Sequence, residues 1–261
     1  MSQPAAMAAG ICSVGFDAVL AGVVPTPAVA YLVRHDPAIT AGGVISASHN
    51  AMAYNGIKFF NEKGDKLPDS MEDEMEDMIA QGTEIPRKEG EQVGVIIQEP
   101  QSAARYADYL AAQLGTDLSG LKLVVDCANG AASAIAPKLF QQLGAEVVAI
   151  HCEPNGVNIN YKCGSTHLTS LQERVLEEQA DLGLAFDGDA DRLLAVDERG
   201  ETMDGDQIIA LCAKALQAKG ALTTNQIAIT VMSNMGLKIA MEQAGIGVLE
   251  TKVGDRYVLE K

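Results

Sequence analysis

Between residues 121 and 186 short apolar runs alternate with helical patterns, and this alternation constrains the fold more than any other feature of the chain. Leu121–Asp126, Glu146–His151 and Leu182–Phe186 read as strands, and Ala131–Leu143 and Leu168–Gln179 as helices. That order implies a mostly parallel sheet covered by helices, with ligands expected beyond the carboxyl ends of the strands. Asp187-Gly188-Asp189-Ala190-Asp191-Arg192 sits at such an end, and Leu193–Asp197 pairs back after it.

Upstream, residues 1 to about 14 read as the later part of a helix, followed by a strand near Asp17–Leu20. Pro25-Thr26-Pro27 sets up a second helix to about Arg34, because proline in a first turn lacks only an N–H that would have no helical partner. Gly42–Ile45 reads as a buried strand running into Ser46-Ala47-Ser48-His49-Asn50, and Gly56–Phe60 as another strand. Pro68–Gln81 is expected as an acidic helix with Met71, Met75, Met78 and Ile79 turned to the core. A polar stretch from Gly82 to Gly94 precedes a long helix near Ser102–Leu114.

A further unit starts near Asp204 with a helix, strand Ile227–Met232, helix Gly236–Gln243, strand Gly247–Thr251 and another helix after Gly254. The expected class is therefore α/β, with mixed, mostly parallel sheets sandwiched by helices in repeated domains over 1–100, 101–203 and 204–261. Sheets begun but not finished should expose apolar faces and strand edges, so self-association is expected.

A formal net charge of −16 disfavours nucleic acid and anionic membrane as partners, since both need clustered Lys and Arg. The five cysteines, Cys12, Cys127, Cys152, Cys163 and Cys212, are odd in number and lack zinc-site or disulfide spacing, which points to a reducing cytoplasm. No basic segment precedes the apolar start, and no apolar run reaches membrane-spanning length.

Two loops carry chemistry. Ser48 offers a hydroxyl nucleophile in a turn beside the titratable ring of His49. Asp187, Asp189 and Asp191 alternate, so in an extended loop their carboxylates point to one side as hard oxygen ligands for a divalent cation. An EF-hand is rejected because Arg192 stands where its glycine is required and the flanks are strands. An aspartyl phosphatase, with Asp187 as nucleophile and Asp189 as acid, remains a competitor that leaves the serine loop unexplained. The turn Asp126–Ser133 could bind an anion; the polar loop through Asn158 and Asn160, with Cys163 and His167 after it, is expected to have a structural or positioning role, Cys163 and His167 lacking metal-like companions. Lys58 draws interest through its closeness to the serine loop.

Ile45–Asn50, Asn55–Phe60, Asp126–Ser133, Cys163–His167, Asp187–Arg192 and Thr251–Lys261, in this order, resemble the bacterial phosphoglucosamine mutases of the α-D-phosphohexomutase superfamily. Cys163-Gly164-Ser165-Thr166-His167 favours the glucosamine branch over phosphomannomutases and phosphoglucomutases. The resemblance implies an isomerase interconverting glucosamine 6-phosphate and glucosamine 1-phosphate for UDP-N-acetylglucosamine and cell-wall synthesis. It implies that Ser48 carries the phosphoryl group and that Mg²⁺ is held by that phosphate with Asp187, Asp189 and Asp191. Lys58 would act as general base or charge stabiliser, with His49 and Arg192 beside the phosphate, on a small phosphosugar substrate.

The sequence also departs from that pattern: Ala51 stands where relatives carry Pro, and Phe186 where they often carry His. No strand and Arg-containing loop precede Met1, and the sugar-recognition loop and phosphate-binding domain expected after Lys261 are not in the sequence. Positioning accounts for roughly 7–11 kcal/mol of barrier lowering in well-oriented cases, so impaired turnover is expected of the chain alone. A completing polypeptide, a catalytically silent metal-binding remnant and another phosphohexomutase specificity stay open.

Overall fold

A computed structural model describes residues 3–259 and 261. The chain forms two compact units, residues 1–200 and 201–261, each described here by itself. The first unit opens with α1 (Gln3–Ser13), β1 (Ala18–Leu20), α2 (Thr26–His35), β2 (Gly42–Ser46), β3 (Gly56–Phe60) and α3 (Asp69–Ala80). It continues with β4 (Ile96–Gln98), α4 (Ser102–Leu114), β5 (Lys122–Asp126), α5 (Ala136–Gln142), β6 (Glu146–Ile150), α6 (Thr169–Glu178), β7 (Leu182–Phe186) and β8 (Leu193–Asp197). The second contains β9 (Thr202–Met203), α7 (Gly205–Ala218), β10 (Gln226–Thr230), α8 (Met235–Gln243), β11 (Gly247–Thr251) and α9 (Asp255–Leu259).

Within the first unit the central strands run in the order β6-β5-β7-β8. β5 pairs in parallel with β6 and β7, and β7 pairs antiparallel with β8, Phe186 opposite Leu193. Val124, Val125 and Ala185 are fully buried, as strands covered on both faces require. One face packs Leu123 and Val125 with Ala132 and Ala136; the other packs Val124 and Val196 with Leu171 and Val175 of α6. This layer fixes the ends of β5 and β7, from which the loops of the site emerge.

Two smaller ladders flank it, β1 with β4 in parallel and β2 with β3 antiparallel. α2 packs on α4, with Tyr31 and Tyr109 rings stacked at 4.3 Å. In the second unit β10 and β11 pair in parallel over a core of Ala213, Ile229, Leu237, Met241 and Ile246. α7 begins at a capping box in which Asp204 accepts from Gln207 N at 2.9 Å.

Several expectations are corrected. The helix expected over 1–14 is found from Gln3 to Ser13, its first two residues lying outside the described ones. The expected helix 131–143 is a 3₁₀ turn at Ala131–Ala134 followed by α5, because Pro137 fits only a first helical turn. β4 lies where no strand was expected; three residues are too short to show a period. β2 is only partly covered, Val44 alone being buried. α3 has no buried residue, and Met71 and Ile79 are 47% and 79% exposed. Met75 and Met78 are half-buried, so the expected stripe is covered only in part; periodicity carries no information about what lies against a face.

Candidate active site

The serine loop leaves β2 and is set by local hydrogen bonds: Ser48 N donates to Ser46 Oγ at 2.8 Å, and Asn50 N to Ala47 O at 2.9 Å. Ser48 is left-handed, with φ 51°. Its Oγ lies 3.3 Å from His49 Nδ1 and 3.4 Å from Asp187 Oδ2, a residue 139 positions away. The two loops found separately in the sequence thus meet, side chain to side chain.

Asp187 follows β7 and is fully buried. Its Oδ1 accepts the N–H groups of Asp191 and Arg192, both at 3.1 Å, which curls the acidic loop around the carboxylate. Asp189 is also buried; its Oδ2 accepts Thr26 Oγ1 at 2.6 Å and Lys58 Nζ at 2.8 Å, while its Oδ1 has no protein partner. Lys58 reaches in from β3 and donates a second bond, to Asp191 Oδ2, at 2.8 Å. Arg192 turns outward, its Nε 3.9 Å from Asp191 Oδ1 and its side chain half exposed.

Burial, then the charges of Asp189 and Asp191, push the Asp187 carboxyl up to about 6. Asp189 is buried too, yet hydrogen bonds from Lys58 and Thr26 and the Lys58 charge outweigh that penalty and hold it below its ordinary value. Burial pulls Lys58 down, but its bonds and attraction to the two carboxylates prevail, so its ammonium is held above the usual range.

Ligand oxygens of Asp187, Asp189 and Asp191 all lie within 4.8 Å of one another. Three clustered carboxylates, one of which carries a buried oxygen without a protein partner, fit a hard divalent cation, and the cluster could hold a metal ion. The Lys58 ammonium compensates part of the cluster's charge.

A second cluster corrects an expectation. Cys163 does have companions: Asp126, His151 and Cys163 bring potential ligand atoms within 4.8 Å of one another. Asp126, fully buried at the end of β5, accepts from Ala128 N at 2.9 Å, Gly164 N at 2.9 Å and His151 Nδ1 at 3.0 Å. Burial pushes the Cys163 thiol up to about 12, so it stays protonated. The cluster braces the loops with a satisfied carboxylate. The turn at 126–133 is likewise not built as an anion cradle, since the N–H groups of Asn129, Gly130, Ala131 and Ser133 all donate to backbone carbonyls.

Sequence reasoning missed Thr26. Its N–H donates to Asp189 O at 2.9 Å and its hydroxyl to the Asp189 side chain, so the start of α2 grips the acidic loop twice. A threonine between two prolines at a helix start was the available signal, since its N–H and hydroxyl have no helical partner there.

Three models of the phosphoglucomutase/phosphomannomutase family match in succession: alpha/beta/alpha domain I over residues 3–86, domain II over 104–200 and domain III over 204–261. The chain is 55% identical over 258 residues to a phosphoglucosamine mutase of Desulforamulus reducens, covering 98% of this chain and 58% of that protein. A phosphoglucosamine mutase of Clostridium acetobutylicum is 53% identical, with 98% and 57% covered. The chain thus spans little more than half the length of these relatives. Among solved structures, a phosphoglucomutase/phosphomannomutase family protein of Burkholderia thailandensis superposes with a TM-score of 0.82 at 28% identity, over 97% of this chain and 56% of that one. A substrate complex of an N-acetylglucosamine-phosphate mutase, at 16% identity and a TM-score of 0.63 over 90% of this chain and 61% of that one, shares the fold.

Proposed function

The chain belongs to the phosphoglucomutase/phosphomannomutase family, and from that membership we propose that it acts as a phosphoglucosamine mutase. The reaction interconverts glucosamine 6-phosphate and glucosamine 1-phosphate through a phosphoserine and a sugar bisphosphate. What carries the reading is the approach of Ser48 Oγ to Asp187 within a cluster of three carboxylates, in a chain 55% identical to a protein named phosphoglucosamine mutase.

Ser48 is assigned the phosphoryl group. In the first half-reaction the bond between Ser48 Oγ and phosphorus breaks as one forms to a substrate hydroxyl oxygen, whose proton passes to a base. The bisphosphate turns over and returns its other phosphoryl group to Ser48. His49, with Nδ1 3.3 Å from Ser48 Oγ, is the neighbour placed to give a proton to the leaving Ser48 oxygen and to take it back when Ser48 attacks the bisphosphate. Lys58 is held as an ammonium by two carboxylates, which favours charge stabilisation over a base role. Arg192 is assigned to the edge of the phosphate, in keeping with its half-exposed guanidinium. Asp187, Asp189 and Asp191, with the Ser48 phosphate, would hold Mg²⁺, which when bound neutralises the charge that develops on the transferring group.

An aspartyl nucleophile is disfavoured, because Asp187 is fully buried and one of its oxygens already accepts two N–H groups. The remaining assignments belong to the same reading: three successive domains over 1–100, 101–203 and 204–261, a small phosphosugar as substrate, no nucleic acid or membrane partner, and a cytoplasmic location. They are supported by the order of the domain models, the net charge of −16 and the finding that, among the described residues, no helix is long and apolar enough to cross a membrane.

An isomerisation assay with glucosamine, glucose and mannose 1-phosphates, Mg²⁺ and a matching bisphosphate primer tests the proposal. It expects Ser48-dependent turnover, fastest with glucosamine. Phosphate release that survives Ser48→Ala and disappears in Asp187→Asn would establish the phosphatase reading instead; Mg²⁺ binding without isomerisation of any sugar or release of phosphate would favour a silent protein.

A further inference from the structure

Asn160 lies in the polar loop that the catalytic assignments leave unused, yet it is 7% exposed and reaches the serine loop. Its side-chain nitrogen donates to Ser48 O at 2.7 Å and to Asn50 O at 2.8 Å. An amide nitrogen has two hydrogens, so both are engaged, and two carbonyl acceptors require that the nitrogen, not the oxygen, face the loop. Its own N–H donates to Ala128 O at 2.9 Å, anchoring it to the turn after β5.

Ser48 O accepts a second group, Gly188 N, at 3.1 Å. The three segments close so tightly that a Cβ on Gly188 would lie 2.6 Å from Ser48 O and 2.8 Å from Asn160 Nδ2. Ser48, at φ 51°, occupies a conformation that costs a non-glycine residue about 1–2 kcal/mol and persists only where the surroundings over-determine it. The Asn160 amide and the Gly188 N–H hold the Ser48 carbonyl from outside the loop, beside the local bonds made by Ser48 N and Asn50 N.

We propose that Asn160 is a positioning residue whose side-chain amide locks Ser48 in the left-handed conformation that aims its Oγ at Asp187, presenting the serine to the acidic loop. The consequence for phosphoryl transfer rests on the proposed function, whereas the lock itself does not. Asn160 is also left-handed, at φ 56°, so alanine there would confound loss of the amide with backbone strain. Asn160→Gly keeps the backbone accessible and deletes both donors; Asn160→Asp keeps the shape and turns an acceptor towards two carbonyls.

Both variants, as full chains, are compared with wild type by hydrogen exchange of peptides covering residues 46–51, with β5 and β7 peptides as internal controls. The rate at which glucosamine 1,6-bisphosphate and Mg²⁺ load a phosphoryl group onto Ser48 is measured in parallel. We expect exchange at 46–51 to accelerate about tenfold in both variants with β5 and β7 unchanged. Loading should slow by about 10–100-fold with Mg²⁺ affinity kept, the scale of a misplaced reacting group. Unchanged exchange at 46–51, or equal acceleration in β5 and β7, would overturn the assignment, the latter by showing a general structural role. If wild type loads no phosphoryl group, the mutase reading fails, and the exchange comparison still decides the role of Asn160.

Discussion

Replacing Lys58 with methionine removes the cation that the structure places between two members of the acidic cluster while keeping much of the side chain's apolar stem. Two bonds of 2.8 Å disappear, and the buried Asp189 is left with the Thr26 hydroxyl as its side-chain partner. Breaking a buried pair by removing one partner costs about 3–5 kcal/mol. Lys58 and Asp191 are 26% and 29% exposed, so water recovers part of that, and about 2 kcal/mol of lost stability is expected in EDTA at pH 7. Mg²⁺ should reverse the effect disproportionately. At a concentration a hundredfold above its dissociation constant a ligand adds about 2.7 kcal/mol, and the variant's carboxylates no longer have an ammonium competing for them. Urea denaturation of wild type and Lys58→Met, each with and without Mg²⁺, reads both quantities. Equal stability in EDTA, or a Mg²⁺ increment in the variant no larger than in wild type, would refute the argument that Lys58 and the metal share the same oxygens.

Other perturbations reach the same site. Asp187 has its carboxyl raised from 3.8 to about 6, so the native state binds the extra proton; the stability this confers is complete below pH 4 and lost as pH rises through 6. Denaturation in EDTA should show a contribution of about 3 kcal/mol disappearing over that window, absent in Asp187→Asn. Thr26→Val deletes a hydrogen bond to a buried carboxylate and should cost about 1.5–3 kcal/mol by chemical denaturation, with weaker Mg²⁺ binding by calorimetry. Gly188→Ala introduces a Cβ 2.6 Å from both Ser48 O and Ile159 Cδ1, so the loops must separate; about 1–3 kcal/mol of destabilisation and a sharp fall in Ser48 reactivity are expected.

What could be read from the chain depended on how local the determining interaction was. β5, β7 and α4 follow from apolar runs and helical spacing within a few residues, and the acidic loop was placed correctly because a strand's carboxyl end can be read from its run. Met71 and Ile79 failed for the opposite reason: the face is written in the sequence, but its cover is a tertiary matter. Ser48 and Asp187 could each be suspected alone, whereas their 3.4 Å approach joins positions 139 apart. Asn160 and Thr26 were harder, since their chemistry is ordinary and only long-range partners, 112 and 163 residues away, give them a task. Asp126, His151 and Cys163 likewise have no recognisable spacing and are gathered by the pairing of β5 with β6 and the loop that follows.

The central claim, that Ser48 and the acidic loop form a phosphoryl-transfer site, is tested most directly by the intact mass of the purified chain, with peptide mapping, after incubation with Mg²⁺ and glucosamine 1,6-bisphosphate. The account predicts one added phosphoryl group, located on Ser48, absent in Ser48→Ala and lost when the metal is chelated. Protein shown to be folded that acquires no Ser48-dependent phosphoryl group, or acquires one on Asp187, would contradict it.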